Sequence, residues 1–579
     1  MAGLASDAAI VAAVAITLRL LYLRLLPQPI PGGLPYNVES AKRFLGDGPY
    51  FIKLYNTGEF WLRFFQELLT KHSTPIAQFF PGPFRGTHVV IGDYREARDL
   101  MSRRGKDLSR GVKNNVAWKS VLPEHFIAME DSHPSFKDAK FLTKDLMTPS
   151  FLHGVSAPAS YKMVRNFIEL WKSKAVLANG RPFDAEADLE AFTYDIMNAT
   201  AFGISVDDSY TSERLRSLPS PNANESLKSH PSRLAEFPNV NPPELLTALN
   251  TLNVRINGAF RALVPQLFLL YDNHRPTTHR AFRSKRTILQ SHIDLSVEKL
   301  SHSTSKEEFA SAVDYIVSRE KAAADSAGRK PVFDSARMND MIWGYLVGGQ
   351  DSTRSTLCFT AKYLGVHQDV QCKLRETLRL AYPDAVSEQR DPFIDEIIKT
   401  HIPYLDAFIE ETLRLSSPAG AITKETLYDM DMFGYRIPKG TPLVFLLTGP
   451  TVSEAGAKVD EARRSETSQK LADEGVGDWA LTDYPPEEFH PERWLQRDED
   501  GEVVFNNRAG PFLSFSYGPR GCWGKRLAYM ELKLIVTLLV WNLEFLRLPA
   551  DLEDDGVVEG LFTKPRSCLV KLRSATATW

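Results

Sequence analysis

Apolar residues recur at helical spacing along most of the chain, so the hydrophobic pattern predicts a mainly helical protein. Long segments of this kind run from 160 to 177, from 339 to 365 and from 526 to 545. Strand patterns are shorter and lie at 87–93 and at 431–445, where Gly434 and the turn at 438–440 interrupt the second segment. The predicted fold class is mainly α with a small β region.

The amino-terminal segment from Ala8 to Leu26 is apolar except for Arg19 and Arg24. As a helix its 19 residues would extend about 28 Å, close to the thickness of a hydrocarbon core. Because the arginines follow the apolar run, a retained membrane anchor is favoured over a cleaved signal peptide, and the rest of the chain is expected in the cytoplasm. An interfacial amphipathic helix is the alternative.

The segment after this helix is rich in proline and glycine, with four prolines and two glycines between Pro27 and Pro35. Such a segment cannot continue a helix and favours a stiff hinge. The predicted organisation is an anchor at 1–26, a hinge at 27–49 and one large domain at 50–579. Two polar stretches, 217–243 and 453–477, are expected to be surface insertions.

Composition narrows the class of protein. A chain of 579 residues with 43% hydrophobic residues can bury a sizeable core. The 69 basic and 72 acidic side chains give a net charge of −3, so no basic excess points to a nucleic-acid partner. Four cysteines exclude a disulfide scaffold and indicate a reducing compartment.

The segment from Phe512 to Ala528 carries the most informative candidate chemistry. It places Cys522 among three glycines, directly before an amphipathic helix. Glycines let a bulky flat ligand approach the backbone, and a helix amino terminus stabilises a thiolate over a thiol. A cysteine in this setting is a nucleophile or a metal ligand. A zinc site would lack a second cysteine here, whereas haem needs only one axial ligand.

This segment resembles the haem-binding loop of cytochrome P450 enzymes, whose pattern is FxxGxRxCxG. The chain supplies every position of that pattern, namely Phe515, Gly518, Arg520, Cys522 and Gly524. The resemblance implies that Cys522 is the axial thiolate on haem iron and that Arg520 contacts a haem propionate.

A second motif is Glu411 and Arg414, which are three residues apart on one predicted helix face and can therefore pair. An isolated pair of this kind carries little information. In cytochrome P450 enzymes, which this chain resembles, an arginine from a later segment completes a buried triad with this pair. Arg493, in the segment 491–494, matches that arginine. The resemblance thus makes Glu411, Arg414 and Arg493 structural residues that support the haem loop.

A third motif, GGQDST at 348–353, interrupts the apolar helix predicted at 339–365. Each glycine lowers the stability of a helix by roughly 1 kcal/mol relative to alanine. The two glycines are explained if the helix passes close to a bulky group. An acid followed by hydroxyls can relay protons. The motif resembles the oxygen-activation motif of the family, with Asp351 as the acid, Ser352 at the usual threonine position and Thr353 after it.

Weaker correspondences extend the predicted site. Lys424 occupies the place of a propionate-binding arginine in many relatives, and Lys140 and Lys144 occupy the places of residues that contact the other propionate. Several basic residues are expected to form a docking surface for an acidic electron donor, and a merely solvated surface is the alternative. They are Lys137, Lys140, Lys144, Lys525 and Arg526. Predicted substrate contacts come from 112–121, 237–263, 419–422 and 560–563.

The resemblance implies a microsomal, fungal-type haem-thiolate monooxygenase in the endoplasmic reticulum membrane. Its cofactor would be haem b, with O2 as oxidant and NADPH electrons delivered by a separate NADPH–cytochrome P450 reductase. The substrate would be a lipophilic small molecule, in keeping with secondary-metabolite biosynthesis.

Two alternatives stay open. One is an isomerase or dehydratase of the same fold that works without O2, although the retained Asp351 and Ser352 argue against it. The other is a membrane-tethered haem-binding protein without turnover, which an altered thiolate loop would favour. A zinc or cysteine-nucleophile enzyme is disfavoured because no histidine lies near Cys522 in sequence.

Overall fold

The structure is a computed structural model of the chain. It describes residues 2–56, 62–111, 115–220, 233–302, 309–454, 456–474 and 484–575.

Helices dominate the described residues. The longer ones span Ala2–Leu25, Gly48–Asn56, Leu62–Lys71, Tyr94–Ser102, Phe136–Leu142, Ala157–Ala178, Glu186–Phe202, Tyr210–Arg216, Glu244–Arg261, Pro265–Asp272, Pro276–His302, Ala312–Ser326, Ala336–Val366, Gln368–Ala381, Pro403–Leu415, Glu466–Asp473 and Lys525–Asn542. Shorter α-helical turns span Val38–Ala41, Val116–Lys119, Pro149–Phe151, Pro383–Ser387 and Ile394–Lys399.

Strands form one larger sheet and several small ones. The larger sheet has the order β1 (Ile76–Phe79), β2 (His88–Ile91), β8 (Pro442–Leu446), β5 (Ala421–Thr426) and β3 (Leu108–Ser109), and only its β2–β8 pair is parallel. A three-stranded sheet has the order β11 (Leu543–Leu546), β14 (Leu569–Ser574) and β4 (Phe183–Asp184). Antiparallel pairs join β6 (Met430–Met432) to β7 (Tyr435–Ile437), β9 (Leu495–Arg497) to β10 (Val503–Phe505) and β12 (Val557–Glu559) to β13 (Thr563–Pro565).

Ala336–Val366, called the central helix below, organises the core. It begins at Ser335, whose side chain accepts a hydrogen bond from the Met338 N–H and so caps the helix. Its sides contribute to two large apolar clusters, with Leu357 in one and Trp343 in the other. A helix that is apolar on several faces is buried between neighbours, and here it packs chiefly against the helix Glu186–Phe202.

Most predicted elements are present, with informative differences. The structure ends the last predicted helix at Asn542, and residues 543–546 form β11 instead. The segment 431–445 forms three strands rather than two. At 543–546 a short apolar run is compatible with either a helix or a strand, and pairing with β14 decides for the strand. At 431–445 the interruptions at Gly434 and at 438–440 divide the chain into three strands.

The amino-terminal helix forms at Ala2–Leu25. None of the helices in the described ranges combines the length and the apolarity that a membrane crossing requires, so the structure gives no support to the predicted transmembrane span. Part of the predicted hinge packs on the large domain, because the side chain of Gln78 accepts from the Ile30 N–H at 2.7 Å and donates to the Leu34 carbonyl at 2.8 Å.

The two predicted insertions are only partly described. Residues 221–232 of the first, and 455 and 475–477 of the second, lie outside the described residues. The described part of the first insertion buries Ala235 and Val240, and the second contains the helix Glu466–Asp473. Both segments therefore contribute some buried contacts.

Candidate active site

The cysteine loop is held in a tight turn directly before the helix Lys525–Asn542. The Cys522 N–H donates to the Phe515 carbonyl at 2.8 Å, and the Gly521 N–H donates to the Gly518 carbonyl at 3.0 Å. The Ser514 hydroxyl donates to the Leu413 carbonyl at 2.6 Å and ties the loop to the helix Pro403–Leu415. These contacts fix the backbone that leads to Cys522.

Gly518 is required by the geometry of this loop. Its φ is +73°, and a Cβ atom there would lie 2.0 Å from the Met101 carbonyl oxygen. Any side chain would force the loop away from the helix Tyr94–Ser102. The glycine at this position of the motif therefore has a physical reason in this chain.

The thiol of Cys522 lies in an enclosed yet accessible place. Burial raises its pKa, while the Gly524 N–H and the Lys525 ammonium favour the thiolate. The residue is nevertheless exposed. A side chain that protein atoms desolvate but do not cover faces a space inside the protein, which is what an iron-ligating thiolate needs.

The predicted triad forms a buried network. Arg414 donates to both oxygens of Glu411 at 2.7 Å, Arg493 donates to Glu411 Oε1 at 2.9 Å, and all three side chains are fully buried. The Trp494 indole adds a hydrogen bond to Oε2 at 2.8 Å. Burial alone would raise the pKa of Glu411, but Arg414 and Arg493 lower it. The carboxylate is thus ionised and saturated with donors, which suits a structural role.

Three cations converge near the cysteine loop. Burial and the charges of Arg110 and Arg520 lower the pKa of Lys424 to about 8, and burial and the charge of Arg520 lower that of Arg110 to about 10. The carboxylate of Asp131 pairs with Arg520, and its negative charge raises the pKa of Arg110, opposing the effect of burial. A cluster with more buried positive than negative charge fits an anionic ligand such as the two carboxylates of haem.

Arg110 is a site residue that the sequence did not predict. It follows strand β3 in an irregular segment, and no motif marks it there. It donates to the Ile127 carbonyl at 3.2 Å, while Arg520 donates to the Phe126 and Met129 carbonyls at 2.9 and 2.8 Å. The loop around Phe126 thus holds both guanidinium groups, an arrangement that only the tertiary structure reveals.

The other predicted contacts are less defined. Lys140 is half-buried on the helix Phe136–Leu142, and Lys144 is exposed with its ammonium 5.9 Å from the Phe141 ring. Neither is among the charges that shift the pKa of Lys424 or Arg110. Their contact with a cofactor stays a prediction. Lys137, Lys525 and Arg526 are exposed, as a docking surface requires.

The central helix opens beside its paired glycines. Gly348 is exposed although most of the helix around it is buried, and a Cβ atom on it would meet nothing within 4 Å. A Cβ atom on the adjacent Gly349 would instead lie 2.2 Å from Met197 Sδ. The first glycine therefore faces an open space, and the second permits close helix packing.

Among the predicted relay residues, Ser352 contacts the backbone at this opening. Its hydroxyl donates to the Gly348 carbonyl at 2.6 Å. Asp351 is buried and its Oδ1 accepts from the Arg354 guanidinium. Thr353 is also buried. An acid and a hydroxyl one residue apart beside an open space can hold water and pass protons.

The predicted substrate segments meet in pairs. The rings of Trp118 and Phe260 lie 5.9 Å apart, and a Cβ atom on Gly420 would lie 3.6 Å from the Thr563 hydroxyl oxygen. Residues 112–114 lie outside the described residues. Phe237 packs 5.5 Å from Phe183 with Lys174 over its ring at 4.5 Å, so the start of the 237–263 segment contributes to the core instead.

The fold and the site together define a haem-thiolate protein: one cysteine before a helix, a surplus of buried cations, and a central helix opened by glycine. Comparison with known proteins agrees. The family model of cytochrome P450 matches residues 48–451 and 484–571. The crystal structure of a cytochrome P450 superposes with a TM-score of 0.62 over 89% of this chain and 94% of that one, at 18% identity, which shows the fold.

Three fungal proteins are similar in sequence. Cytochrome P450 monooxygenase TRI13 of Fusarium sporotrichioides is 32% identical, covering 97% of this chain and 98% of that protein. Cytochrome P450 monooxygenase GME11363 of Pestalotiopsis microspora is 33% identical over 98% of each. The Hps1-dma1 cluster cytochrome P450 monooxygenase cyp3.1 of Dothistroma septosporum is 34% identical over 46% of this chain and 87% of that protein.

The chain belongs to the cytochrome P450 family. It is a haem-thiolate oxidoreductase whose family uses haem b, O2 and NADPH-derived electrons supplied through a redox partner. The predicted monooxygenase is confirmed, and the similar proteins do not support an isomerase, a dehydratase or a non-catalytic haem carrier.

Proposed function

We propose that this chain is a membrane-associated monooxygenase that oxidises a lipophilic small molecule of secondary metabolism, with electrons from a separate NADPH–cytochrome P450 reductase. The observation that supports the proposal is the Cys522 loop, in which Arg520 forms a cation cluster with Arg110 and Lys424. The names of the fungal relatives, one of them called after a gene cluster, support the assignment to secondary metabolism.

Each part of the site has a proposed role. Cys522 ligates the haem iron, and Arg520, Arg110 and Lys424 pair with the propionates. Glu411, Arg414 and Arg493 keep the loop in place through the buried network. When bound, haem b supplies O2 activation, and the thiolate favours O–O cleavage.

The chain's own residues manage protons and water. Monooxygenation consumes O2, two electrons and two protons, and yields one inserted oxygen atom and one water. The protons come from solvent, and we expect the carboxylate of Asp351 and the hydroxyl of Ser352 or Thr353 to pass them. The Ser352 hydroxyl, held on the Gly348 carbonyl, can hold a water molecule at the same position.

The substrate class follows from the lining of the proposed pocket. The segments that meet there carry aromatic and small apolar side chains, among them Trp118, Phe260 and Ala419. Such a lining favours a bulky lipophilic molecule over a charged one.

The decisive experiment for the haem site is a reduced, carbon-monoxide difference spectrum of the purified protein. We expect the red-shifted Soret band of thiolate ligation in the wild type and its loss in Cys522→Ala. Cys372→Ala, which changes an exposed cysteine on the helix Gln368–Ala381, is the matched control and should keep the band. A red-shifted band that persists in Cys522→Ala would overturn the assignment of the ligand.

We also propose that the amino-terminal helix attaches the protein to the cytoplasmic face of the endoplasmic reticulum. Large apolar residues are exposed along it, for example Val11 at 67% and Leu18 at 61%. Contiguous exposed apolar surface on a helix favours burial in a lipid interface.

Removal of residues 1–26 tests this attachment. We expect the full chain to float with neutral phosphatidylcholine vesicles in a density gradient and the shortened chain to stay with the soluble fraction. The carbon-monoxide spectrum of the shortened chain controls for folding. Flotation of a folded, shortened chain would show that other surfaces bind the membrane.

A further inference from the structure

Arg354 joins the proposed relay acid to a second carboxylate. It lies one turn after Asp351 on the central helix, and its Nη2 donates to Asp351 Oδ1 while its Nη1 donates to Glu190 Oε1. The side chains of Arg354, Asp351 and Glu190 are 13%, 11% and 22% exposed. Ion pairs this deeply buried hold their geometry better than surface pairs.

The contacts continue to a third helix. Glu190, on the helix Glu186–Phe202, also accepts from the amide of Asn250 at 3.1 Å, on the helix Glu244–Arg261. A connected chain of side chains therefore runs from Asn250 through Glu190 and Arg354 to Asp351. Asp351 is held from outside its own helix.

Charge keeps Arg354 in this place. Burial opposes its ionisation, but the carboxylates of Asp351 and Glu190 raise its pKa. Arg354 is thus a permanent cation whose orientation is set by two anions. Because a guanidinium has a planar fork of donors, it can fix a carboxylate in one orientation.

We propose that Arg354 is a positioning residue for proton delivery. It holds Asp351 through Oδ1, and within the described part of the chain no hydrogen bond to Oδ2 is formed, which leaves Oδ2 available to exchange protons with water. Each proton passed on by Asp351 is replaced from solvent, and Arg354 keeps its own protons. This inference rests on the relay role proposed for Asp351.

The consequence is a change in how O2 is reduced. If protons arrive late or at the wrong place, electrons taken from NADPH leave as H2O2, which needs two electrons and two protons, instead of serving water formation. Loss of the Arg354 contact should raise the H2O2 formed per NADPH while haem content and ligation are kept. A purely structural role would lower haem content without changing that ratio.

The test uses the full chain with haem, a purified NADPH–cytochrome P450 reductase and no added substrate. NADPH oxidation and H2O2 are measured in H2O and in D2O for the wild type, Arg354→Met, Arg354→Lys and Glu190→Gln. Arg319→Met is the matched control, because Arg319 forms a comparably buried pair with Asp145 elsewhere, with exposed fractions of 21% and 26%.

We expect Arg354→Met to lower the share of NADPH electrons that ends in water by at least about twofold, with a matching rise in H2O2 per NADPH, and to change the solvent isotope effect on NADPH oxidation. Arg354→Lys should recover most of the wild-type ratio, Glu190→Gln should give an intermediate ratio, and Arg319→Met should match the wild type. A haem-replete Arg354→Met with the wild-type ratio and isotope effect would overturn the proposal.

Two further outcomes are decisive. If Arg354→Met does not retain haem, Glu190→Gln decides, because it keeps both Arg354 and Asp351, and a wild-type ratio there overturns the proposal. If the wild type itself lacks the thiolate band or oxidises no NADPH, the proposed function fails rather than the role of Arg354.

Discussion

At the scale of single residues, the cysteine loop shows how backbone geometry fixes a sulfur atom. The Cys522 N–H, the Ser514 hydroxyl and the turn at Gly518 each contribute one contact. None of them is energetically large, since a single hydrogen bond contributes about 1 kcal/mol. Their combined effect is to hold the backbone of Cys522 in one place.

Gly518→Ala should destabilise the protein by roughly 2–4 kcal/mol and reduce haem content. The added Cβ would lie 2.0 Å from the Met101 carbonyl oxygen at a positive φ of 73°, so strain and a steric clash act together. Denaturant unfolding and haem content per chain measure the two effects.

The matched control is Gly501→Ala. Gly501 also has a positive φ, +81°, but a Cβ there would meet nothing within 4 Å. It should therefore cost only the backbone strain, about 1 kcal/mol, with haem content unchanged. Equal effects of the two substitutions would show that close packing against Met101 is not what requires Gly518.

At the scale of elements, the central helix combines two opposite uses of glycine. Gly349 allows the helix Glu186–Phe202 to approach through Met197, whereas Gly348 leaves a space that no described atom fills. The same residue type at adjacent positions therefore serves packing on one face and access on the other.

Gly348→Ala and Gly349→Ala should separate these uses. We expect Gly348→Ala to keep or raise the free energy of unfolding, by up to about 1 kcal/mol, because alanine is the better helix former. It should still alter the carbon-monoxide spectrum or ligand binding, since its methyl group enters the open space.

Gly349→Ala should instead lower the free energy of unfolding by about 1–3 kcal/mol, because its methyl group would collide with Met197. Denaturant unfolding and carbon-monoxide spectra of both variants provide the measurement. A destabilised Gly348→Ala with an unchanged spectrum would contradict the placement of the cofactor beside this helix.

At the scale of the whole molecule, several buried carboxyl groups make the stability of the fold depend on pH. Burial raises the pKa of Glu96 and Glu410 to about 7, of Asp195 to about 6 and of Glu531 to about 8. Glu531 lies on the helix Lys525–Asn542, and no described residue donates a hydrogen bond to its Oε1.

Between its unfolded and folded pKa values, each such group binds more protons in the folded state than in the unfolded state. The contribution of each such group to the free energy of unfolding is therefore most favourable below its unfolded pKa, and it falls as the pH rises through that interval. For Glu531 the interval runs from about 4.5 to about 8. The stability lost across it is on the order of 3–5 kcal/mol.

Glu531→Gln should remove this dependence. Relative to the wild type, we expect it to gain stability steadily between pH 5 and about 8, because the amide cannot ionise. Unfolding midpoints of both proteins over this pH range give the measurement. A difference between them that does not change with pH would show that Glu531 is not a buried carboxyl group with a raised pKa.

The sequence by itself determined the features that are local in the chain. The haem-loop pattern at 515–524 sets its own turn, the central helix follows from periodic apolar residues and a serine cap, and Glu411 and Arg414 are neighbours on one helix turn. These features depend on backbone preferences and short spacings, which a sequence displays directly.

Only the tertiary structure decided what distant segments do together. Arg110 has no motif, and it joins Lys424 and Arg520 because an irregular loop, a strand and the cysteine loop converge. Arg354 meets Glu190 across two helices, and residues 543–546 form a strand because β14 pairs with them. Burial, charge and pairing across long separations are properties of the packed chain, so no local pattern contains them.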